Sequence, residues 1–321
     1  MPGHDSHRRP TIAVVIPCFN EEKTVGRVVE DFLRVLPDCI VVIADNNSTD
    51  DTARAARAAG AIVITERRRG KGMAVRKLLA DVDAECFVMV DGDATYDAAS
   101  AIEMTRLVLE ESYDMVIGVR KTPEDGGEEY RSGHRFGNAI LTWIFKSLFG
   151  LPISDTLSGY RAMSRRFAKT FPGSPEGFEV EAELNVHAAV MEAPVAEVPT
   201  TYIARPIGSS SKLRTYRDGW RILRRNIYLF RDARPFMSFS LLGLPWLIAT
   251  VILVIPPTLE YLRTGLVPRF PSLIAGVGCF LVALLLVMCG VILARVSRSR
   301  AEMVRLHYLR FAPPAMMGER S

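Results

Sequence analysis

The chain of 321 residues contains no glutamine and only five cysteines, at positions 18, 39, 86, 279 and 289. The cysteines are scattered through apolar segments, and no two of them form a C-x-x-C pair. This spacing predicts five buried, reduced thiols and excludes both a disulfide framework and a zinc site. Residues 1–10 are polar, and the apolar run after them is too short for a signal-peptide core. We therefore expect the soluble part of the protein to remain in the cytoplasm.

Two common nucleotide-binding signatures are also missing. No G-x-G-x-x-G follows the first apolar run, and the loop "RRRGKGMA" has neither the spacing nor the Ser or Thr of a Walker A loop. These absences disfavour an NTPase and a dinucleotide enzyme. The same loop nevertheless carries Lys71 between Gly70 and Gly72, which places a cation where it can reach a phosphate.

Charge is absent from two windows near the C-terminal end, residues 235–259 and 271–294. A helix of ~20 apolar residues crosses a hydrocarbon core of ~30 Å. We therefore predict a two-helix transmembrane hairpin within residues 235–294, with spans at about 236–257 and 272–294. Pro245 and the pair Pro256-Pro257 predict a kinked or shortened first span. A buried globular helix is the alternative, but two such windows with a short connection disfavour it.

Arginine is distributed unevenly around these windows. The linker between them contains Arg263 and Arg269, whereas residues 212–234 and the tail 295–321 are both rich in Arg. The positive-inside rule then places both termini on the cytoplasmic side of an inner membrane. Residues 212–234 mix Arg with aromatic and aliphatic residues, which is typical of a juxtamembrane amphipathic helix. Residues 136–150 are similar, and there an ordinary core helix is equally consistent.

Short, β-branched apolar runs alternate with helical patterns in the first part of the chain. The runs are Thr11–Pro17, Cys39–Asp45, Ala61–Thr65, Cys86–Asp91 and Asp114–Arg120. They are too continuously apolar for half-exposed antiparallel strands, so they predict an α/β fold with a doubly wound, Rossmann-like sheet. Asn20 and Ser48 are the expected N-caps of the first two helices. Ligands bind such sheets at the carboxyl ends of the strands.

Acidic residues follow several of these predicted strands. Glu21 and Asp45 come after the first two, and Asp91 and Asp93 come after the fourth. Side chains at i and i+2 leave an extended segment on the same side, and paired carboxylates suit Mg²⁺ or Mn²⁺. Asp and Gly are also ordinary turn residues. Taken alone, the "DGD" pattern leaves both a turn and a metal site open.

Six motifs occur here in the order typical of family 2 GT-A glycosyltransferases: "VVIPCFNEEKTV", "ADNNSTDDT", "RGKGMA", "VDGDATYD", "SDTLSGYRAMSRR" and "GFEVEAEL". With its apolar hairpin, the chain resembles the polyprenyl-phosphate branch of that family, which includes dolichyl-phosphate mannose synthases and bacterial two-span relatives. The resemblance covers about residues 11–234 and the hairpin. It implies a cytoplasmic GT-A catalytic domain at residues 11–211, the juxtamembrane segment 212–234, and a basic cytoplasmic tail at 295–321.

The resemblance also implies an activity and a set of site residues. The activity is inverting transfer of a sugar from a nucleotide diphosphate-sugar to polyprenyl phosphate, giving a lipid-linked monosaccharide for cell-envelope glycan or glycoprotein assembly. The implied metal ligands for Mg²⁺ or Mn²⁺ are Asp91 and Asp93. The implied nucleotide-sugar site adds Pro17, Phe19, Glu21, Asp45 and Lys71. The implied catalytic residues are Asp93, Asp155, Arg120 and Arg135, and the implied contacts to the acceptor or diphosphate are Arg120, Arg135, Arg205, Ser211 and Lys212.

Several details remain open at this stage. Glu179 and Glu181 rank below Asp155 as sugar-pocket residues, and Thr95 stands where mannose synthases often have Gln, so a third protein contact to the metal is undetermined. "DGDATYD" and "GSSSKL" look closer to UDP-glucose and UDP-N-acetylglucosamine members than to GDP-mannose enzymes, which are the alternative.

Two other classes compete with this interpretation. Processive polysaccharide synthases resemble one another in a QxxRW motif, which a chain without Gln lacks. A non-catalytic, membrane-anchored nucleotide-binding scaffold is disfavoured by the intact Asp91/Asp93 pair. The expected partners are the nucleotide-sugar donor, the polyprenyl phosphate and the lipid bilayer, with no nucleic acid; assembly into a homo-oligomer is left open.

Overall fold

The computed structural model describes residues 11–121, 150, 153–173, 180–202, 227, 230–231, 234–267 and 269–312. Residues 1–223 and 304–321 form one compact unit, and residues 224–303 form a second. Some predictions lie outside the described residues. They include most of the two amphipathic segments and the individual residues Arg135, Glu179, Arg205, Ser211 and Lys212.

The first unit is built on a seven-stranded sheet. Its strands are β1 (Ile12–Cys18), β2 (Ile40–Asp45), β3 (Ile62–Thr65), β4 (Cys86–Met89), β5 (Met115–Lys121), β6 (Arg161–Ser164) and β7 (Val195–Thr201). Their order across the sheet is β3-β2-β1-β4-β6-β5-β7. The five predicted strands are confirmed to within two residues at each end, and β6 and β7 are additional.

The sheet is mixed, because β6 runs antiparallel to both of its neighbours, β4 and β5. The remaining pairs are parallel. The carboxyl ends of β1, β2, β4 and β5 therefore lie at one edge of the sheet, and the segment that enters β6 lies at that same edge. This arrangement brings the loop around Asp155 towards the residues that follow β1, β2 and β4.

Six described helices belong to this unit: α1 (Val25–Val35), α2 (Thr52–Ala58), α3 (Lys71–Asp81), α4 (Ser100–Leu109), α5 (Arg165–Thr170) and α6 (Val180–Met191). Helix α1 buries Val25, Val28, Val29 and Phe32, the i, i+3, i+4, i+7 stripe of an amphipathic helix.

The two predicted N-caps are wrong. Helix α1 begins after Thr24 and α2 begins after Asp51. Asn20 instead lies in the left-handed region, with φ 53°, and its backbone N–H donates to Ser48 Oγ at 3.0 Å. The Ser48 side chain thus joins the loops after β1 and β2, a long-range contact that competes with local capping.

The second unit contains α7 (Pro235–Thr264) and α8, which begins there and runs over Phe270–Tyr308. Their most apolar windows have mean hydropathies of 2.2 and 2.9, and both helices are long and apolar enough to cross a membrane. Helix α7 passes through all three prolines and ends at Thr264, seven residues beyond the predicted end of the first span at about residue 257. Helix α8 continues beyond residue 294, so the start of the predicted tail is helical. Cys289 is exposed on this helix and not buried as predicted.

Glycines allow α7 and α8 to pack closely. A Cβ on Gly243 would lie 3.5 Å from the Ala283 carbonyl oxygen, and one on Gly290 would lie 3.3 Å from Phe236 Cα. These pairings run in opposite directions along the two helices, so the helices form an antiparallel hairpin. Small residues at such contacts are characteristic of helix pairs in membranes.

Candidate functional site

The acidic residues predicted from the sequence converge at the carboxyl edge of the sheet. Cys18 at the end of β1 pairs in register with Asp45 at the end of β2. The Thr24 hydroxyl donates to the Gly92 carbonyl oxygen at 2.7 Å, which ties the start of α1 to the Asp-Gly-Asp turn after β4. The two loops that carry Glu21 and the Asp91/Asp93 pair are therefore held against each other.

Asp91 is paired with a lysine from another element. Lys71 is the first residue of α3, and its Nζ lies 2.5 Å from Asp91 Oδ1 and 2.6 Å from Glu181 Oε1 on α6. Burial of Lys71 opposes its charge and by itself lowers the pKa, but the two carboxylates outweigh this and raise the pKa above its ordinary value. Lys71 therefore stays protonated and lies between two acidic side chains.

Gly159 lies against the other side of the Asp91 carboxylate. A Cβ at Gly159 would be 2.5 Å from Asp91 Oδ2 and 3.1 Å from Cγ, closer than ordinary contact. The Gly159 N–H donates to the Tyr96 hydroxyl at 3.1 Å. The "SGY" segment before β6 thus forms a wall of the site, and only glycine fits at this point.

Asp93 is buried, with 6% of its surface exposed. Its Oδ1 accepts hydrogen bonds from the Thr95 hydroxyl at 2.6 Å and from the Thr95 backbone N–H at 3.3 Å. Ala94, between them, has φ 58° in the left-handed region, so the turn doubles back tightly. Thr95 therefore orients the Asp93 carboxylate. The sequence showed only that Thr95 stands where mannose synthases often have Gln, and it did not suggest this role.

Glu21 lies under the same turn. A Cβ on Gly92 would collide with Glu21 Oε2 and lie 2.7 Å from Cys18 Sγ, so the central glycine of "DGD" is required by this close approach. The Glu21 backbone N–H donates to the Thr52 hydroxyl at 2.8 Å. Burial, and then the charge of Glu21, raise the pKa of the Cys18 thiol, which stays protonated.

Asn46 organises the loop that leads to Lys71. Its side-chain amide donates to the carbonyl oxygens of Glu66 and Arg68 at 3.1 and 2.6 Å, and its Oδ1 accepts from the Gly70 N–H at 2.7 Å. Gly70 has φ 129°, which lets the chain turn directly into α3. Asn46 was not among the predicted site residues, although its position next to Asp45 at a strand end was the available signal.

A second charge pair lies at the end of β5. The Arg120 guanidinium makes a bidentate contact with Asp155, with Nε 2.7 Å from Oδ2 and Nη2 2.8 Å from Oδ1. The same guanidinium is 5.6 Å from the centroid of the Tyr202 ring. Burial alone would raise the pKa of Asp155, but Arg120 outweighs burial and lowers that pKa. The two residues were predicted to contact different substrate groups, and the structure pairs them with each other.

A fully buried arginine supports the Asp155 loop from below. Arg161 donates from Nε to the Ser158 carbonyl oxygen at 3.0 Å and from Nη2 to the Thr156 carbonyl oxygen at 3.3 Å. A third donor contacts Asn185 Oδ1 at 2.5 Å. Burial lowers the pKa of Arg161 to about 10. Its position within an apolar strand gave no sequence signal for this supporting role.

Tyr96 connects the two charge pairs. Its hydroxyl accepts the hydrogen bond from Gly159, beside Asp91, and its ring centroid is 5.4 Å from that of Tyr202, beside Arg120. Burial, and then the charge of Asp91, raise the pKa of Tyr96, so the phenol stays neutral. The structure therefore joins Asp91, Asp93, Lys71, Arg120 and Asp155 in one continuous site.

Comparison with known proteins identifies the family. The model of glycosyl transferase family 2 matches residues 13–171. Glycosyltransferase AglJ of Haloferax volcanii is 36% identical over 236 residues, which cover 72% of this chain and 76% of AglJ. This chain belongs to glycosyl transferase family 2. The family 2 match includes both members of the Arg120–Asp155 pair, whereas Glu181 on α6 lies beyond it.

Two further relatives of this family 2 glycosyltransferase are informative. The dolichyl-phosphate hexose transferase of H. volcanii is 31% identical over 194 residues, covering 60% of this chain and 83% of that protein. Among solved structures, glucosyl-3-phosphoglycerate synthase of Mycobacterium tuberculosis superposes with a TM-score of 0.54 at 23% identity, covering 69% of this chain and 80% of the synthase. That similarity establishes the GT-A type of fold.

Proposed function

We propose that this glycosyltransferase is membrane-anchored and transfers a sugar, with inversion, from a nucleotide diphosphate-sugar to a polyprenyl phosphate. The supporting observation is that one family 2 chain combines the Asp91/Asp93 pair at its sheet edge with a hairpin long and apolar enough to cross a membrane. A lipid acceptor is encountered at the membrane surface. The dolichyl-phosphate hexose transferase, by its name, uses a lipid phosphate of this kind.

The donor proposed is UDP-glucose or UDP-N-acetylglucosamine, with GDP-mannose as the alternative. The M. tuberculosis synthase has been crystallised with Mn²⁺ and UDP-glucose, and with Mg²⁺ and UDP. Both proteins share the fold, which supports a nucleotide diphosphate-sugar as the donor here. The arginine-rich flanks of the hairpin support a cytoplasmic catalytic domain.

Asp91 and Asp93 would hold Mg²⁺ or Mn²⁺. No group of three or more His, Cys, Asp or Glu side chains able to hold a metal occurs among the described residues, so phosphate oxygens of the donor would complete the ligand set. The residues fit such an ion, because Asp91 already holds a cationic ammonium at 2.5 Å. The absence of a Cβ at Gly159 allows the Asp91 carboxylate to lie in this position. When bound, the ion neutralises charge that develops on the diphosphate leaving group.

The remaining residues would bind and orient the nucleotide-sugar and the acceptor phosphate. Asp45 would accept a hydrogen bond from the nucleotide base, as its family motif implies, and Lys71 would supply charge for the diphosphate. Arg120, held by Asp155, would contribute its permanent positive charge to binding of the acceptor phosphate. Catalysis by these groups rests on positioning and charge stabilisation.

The acceptor requires no protein base. A phosphate monoester has a second pKa of ~6, so it is already mostly dianionic near neutral pH. The one described histidine near this unit's core, His187, is packed against Phe167 and Phe171, and burial lowers its pKa to about 4. His187 is therefore a structural side chain, and the nucleophile is the acceptor phosphate itself.

The test is a transfer assay on the full chain in detergent or nanodiscs. Radiolabelled UDP-glucose, UDP-N-acetylglucosamine and GDP-mannose are each incubated with undecaprenyl or dolichyl phosphate, with EDTA and with Mn²⁺ or Mg²⁺ restored. We expect a labelled lipid from one donor, formed only with the metal present. Formation from GDP-mannose alone would select the alternative donor. Absence of labelled lipid from every donor would refute the proposed function.

A further inference from the structure

The contact between Lys71 and Asp91 places an internal cation on one of the two proposed metal ligands. The ammonium is shared between Asp91 and Glu181, and the Lys71 and Asp91 side chains are only 25% and 27% exposed. A divalent ion that binds through Asp91 would therefore meet a positive charge in direct contact with the same carboxylate. Two cations that contact the same carboxylate repel each other strongly.

Lys71 carries a long side chain on a backbone that is held in place. The chain just before it is open to solvent, because an added Cβ on Gly70 would have nothing within 4 Å. Lys71 also begins a helix of 11 residues, so its long flexible stem projects from a fixed backbone while its ammonium can swing. The neighbouring backbone is held by Asn46, which limits the movement to the side chain.

We propose that Lys71 is an exchangeable counter-ion: it neutralises Asp91 in the empty site and moves onto the nucleotide diphosphate when the metal and nucleotide bind. This inference rests on the proposed function, because it assumes a metal–diphosphate complex at this edge. It predicts weak binding of the metal alone, and strong positive coupling between metal and nucleotide. Since coupling is reciprocal, each ligand strengthens the other by the same factor.

The inference is tested by binding, without catalysis. Mn²⁺ affinity of the full chain in detergent is measured by electron paramagnetic resonance, alone and with saturating UDP or, in parallel, GDP. For the native chain we expect at least about tenfold tighter Mn²⁺ binding with one of the nucleotides. Lys71→Met should bind Mn²⁺ alone about tenfold tighter than the native chain, and its coupling factor should be smaller than the native one, with the remainder due to the diphosphate oxygens that complete the ligand set.

Two control variants separate exchange from general electrostatics. Lys77→Met removes a lysine from the same helix, where Lys77 pairs with Asp81 at 2.7 Å, and should behave like the native chain. Lys71→Arg retains the charge and should retain weak binding of Mn²⁺ alone, which also covers the case in which Lys71→Met does not fold.

The decisive quantity is the coupling factor. If Lys71→Met tightens Mn²⁺ binding equally with and without nucleotide, Lys71 is a static counter-charge and the exchange is wrong. If Lys71→Met leaves Mn²⁺ affinity unchanged, Lys71 does not compete for Asp91 and the inference is also wrong. Reduced coupling in Lys71→Met, in a protein that forms no lipid-linked product, would instead support the exchange and refute the proposed acceptor.

Discussion

Replacing Gly159 by alanine tests whether the position of the Asp91 carboxylate sets the rate. Gly159 is outside the left-handed region, so alanine is compatible with its backbone conformation. The added methyl group is the only change, and it points at the Asp91 oxygen that does not contact Lys71. The substitution therefore perturbs one proposed metal ligand without removing its charge.

The size of the effect follows from the distances. The new Cβ would lie 2.5 Å from Asp91 Oδ2 and 3.1 Å from its Cγ. Carbon–oxygen contacts are normally ~3.3 Å or longer, so the carboxylate has to move by about 0.8 Å. A misplacement of about 1 Å costs about 100-fold in rate, or about 2.7 kcal/mol of transition-state stabilisation.

Turnover at saturating donor and acceptor is the measurement, with the thermal unfolding midpoint as a check on folding. Gly26→Ala, in helix α1, is the matched control. The atoms nearest to its added Cβ belong to Ala55 and Ala59 and are 3.9 and 4.0 Å away. That variant should keep native turnover and gain ~0.5–1 kcal/mol of stability from the better helix former. Turnover of Gly159→Ala within about threefold of native, in a folded protein, would show that the Asp91 position is not critical.

Three further predictions concern other residues. Asp155→Asn turns an amide N–H towards one N–H of Arg120 and so breaks the bidentate pair. In steady-state kinetics, the KM for polyprenyl phosphate should then rise more than the KM for the nucleotide-sugar. Equal changes in the two KM values would contradict the acceptor role of Arg120. Asp93→Asn keeps the shape of the side chain and should lower metal-dependent turnover at least about 100-fold; near-native turnover would exclude Asp93 as a ligand. Burial lowers the pKa of His187 from 6.5 to about 4, so the unfolded state binds more protons between these values. Stability should fall by up to about 3 kcal/mol as the pH drops through that window, and His187→Phe should flatten the thermal unfolding profile there; an unchanged profile would contradict this.

The strands that the sequence predicts are those with continuous apolar character. β1, β2 and β4 are buried on both faces, which produces long β-branched runs that no turn interrupts. β6 has only four residues and includes Arg161, whose guanidinium donates to two carbonyl oxygens of the preceding loop and to Asn185 on α6. β7 contains Pro199, which is tolerated because β7 is the last strand of the sheet and pairs on one side only. Short length and polar residues conceal both strands in the sequence.

The positions of the acidic residues in the site can be predicted from the sequence, but the ion pairs they form cannot. Carboxylates after parallel strands meet at one edge by topology alone, which is why Asp45, Asp91 and Asp93 were recognised. Glu181 contacts Lys71 across 110 positions of sequence. That contact depends on where α6 packs, which no local pattern encodes. The Arg120–Asp155 pair similarly depends on antiparallel β6, which returns the Asp155 loop to this edge.

The C-terminal tail contains another contact that the sequence does not reveal. Residues 295–321 were predicted as a basic cytoplasmic tail, and the described residues 304–312 of this tail belong to the same unit as the sheet. Tyr308 donates to Asp114 Oδ2 at 2.5 Å, and Arg166 Nε lies 2.8 Å from Asp114 Oδ1. A fully buried carboxylate needs such partners, because an uncompensated buried charge is costly. The partner on the tail could not be identified from a run of arginines.

The charges at the sheet edge bear on how the substrates enter. Among the described residues, the carboxylates there outnumber the cations: Glu21, Asp45, Asp91, Asp93, Asp155 and Glu181 face Lys71, Arg120 and Arg161. A nucleotide diphosphate is itself an anion and would be repelled by this excess of negative charge. A divalent ion that arrives with the diphosphate would lower this excess from three negative charges to one, and Lys71 released from Asp91 would place its charge on the phosphates. The internal ion pairs therefore favour joint binding of metal and donor over binding of either one alone.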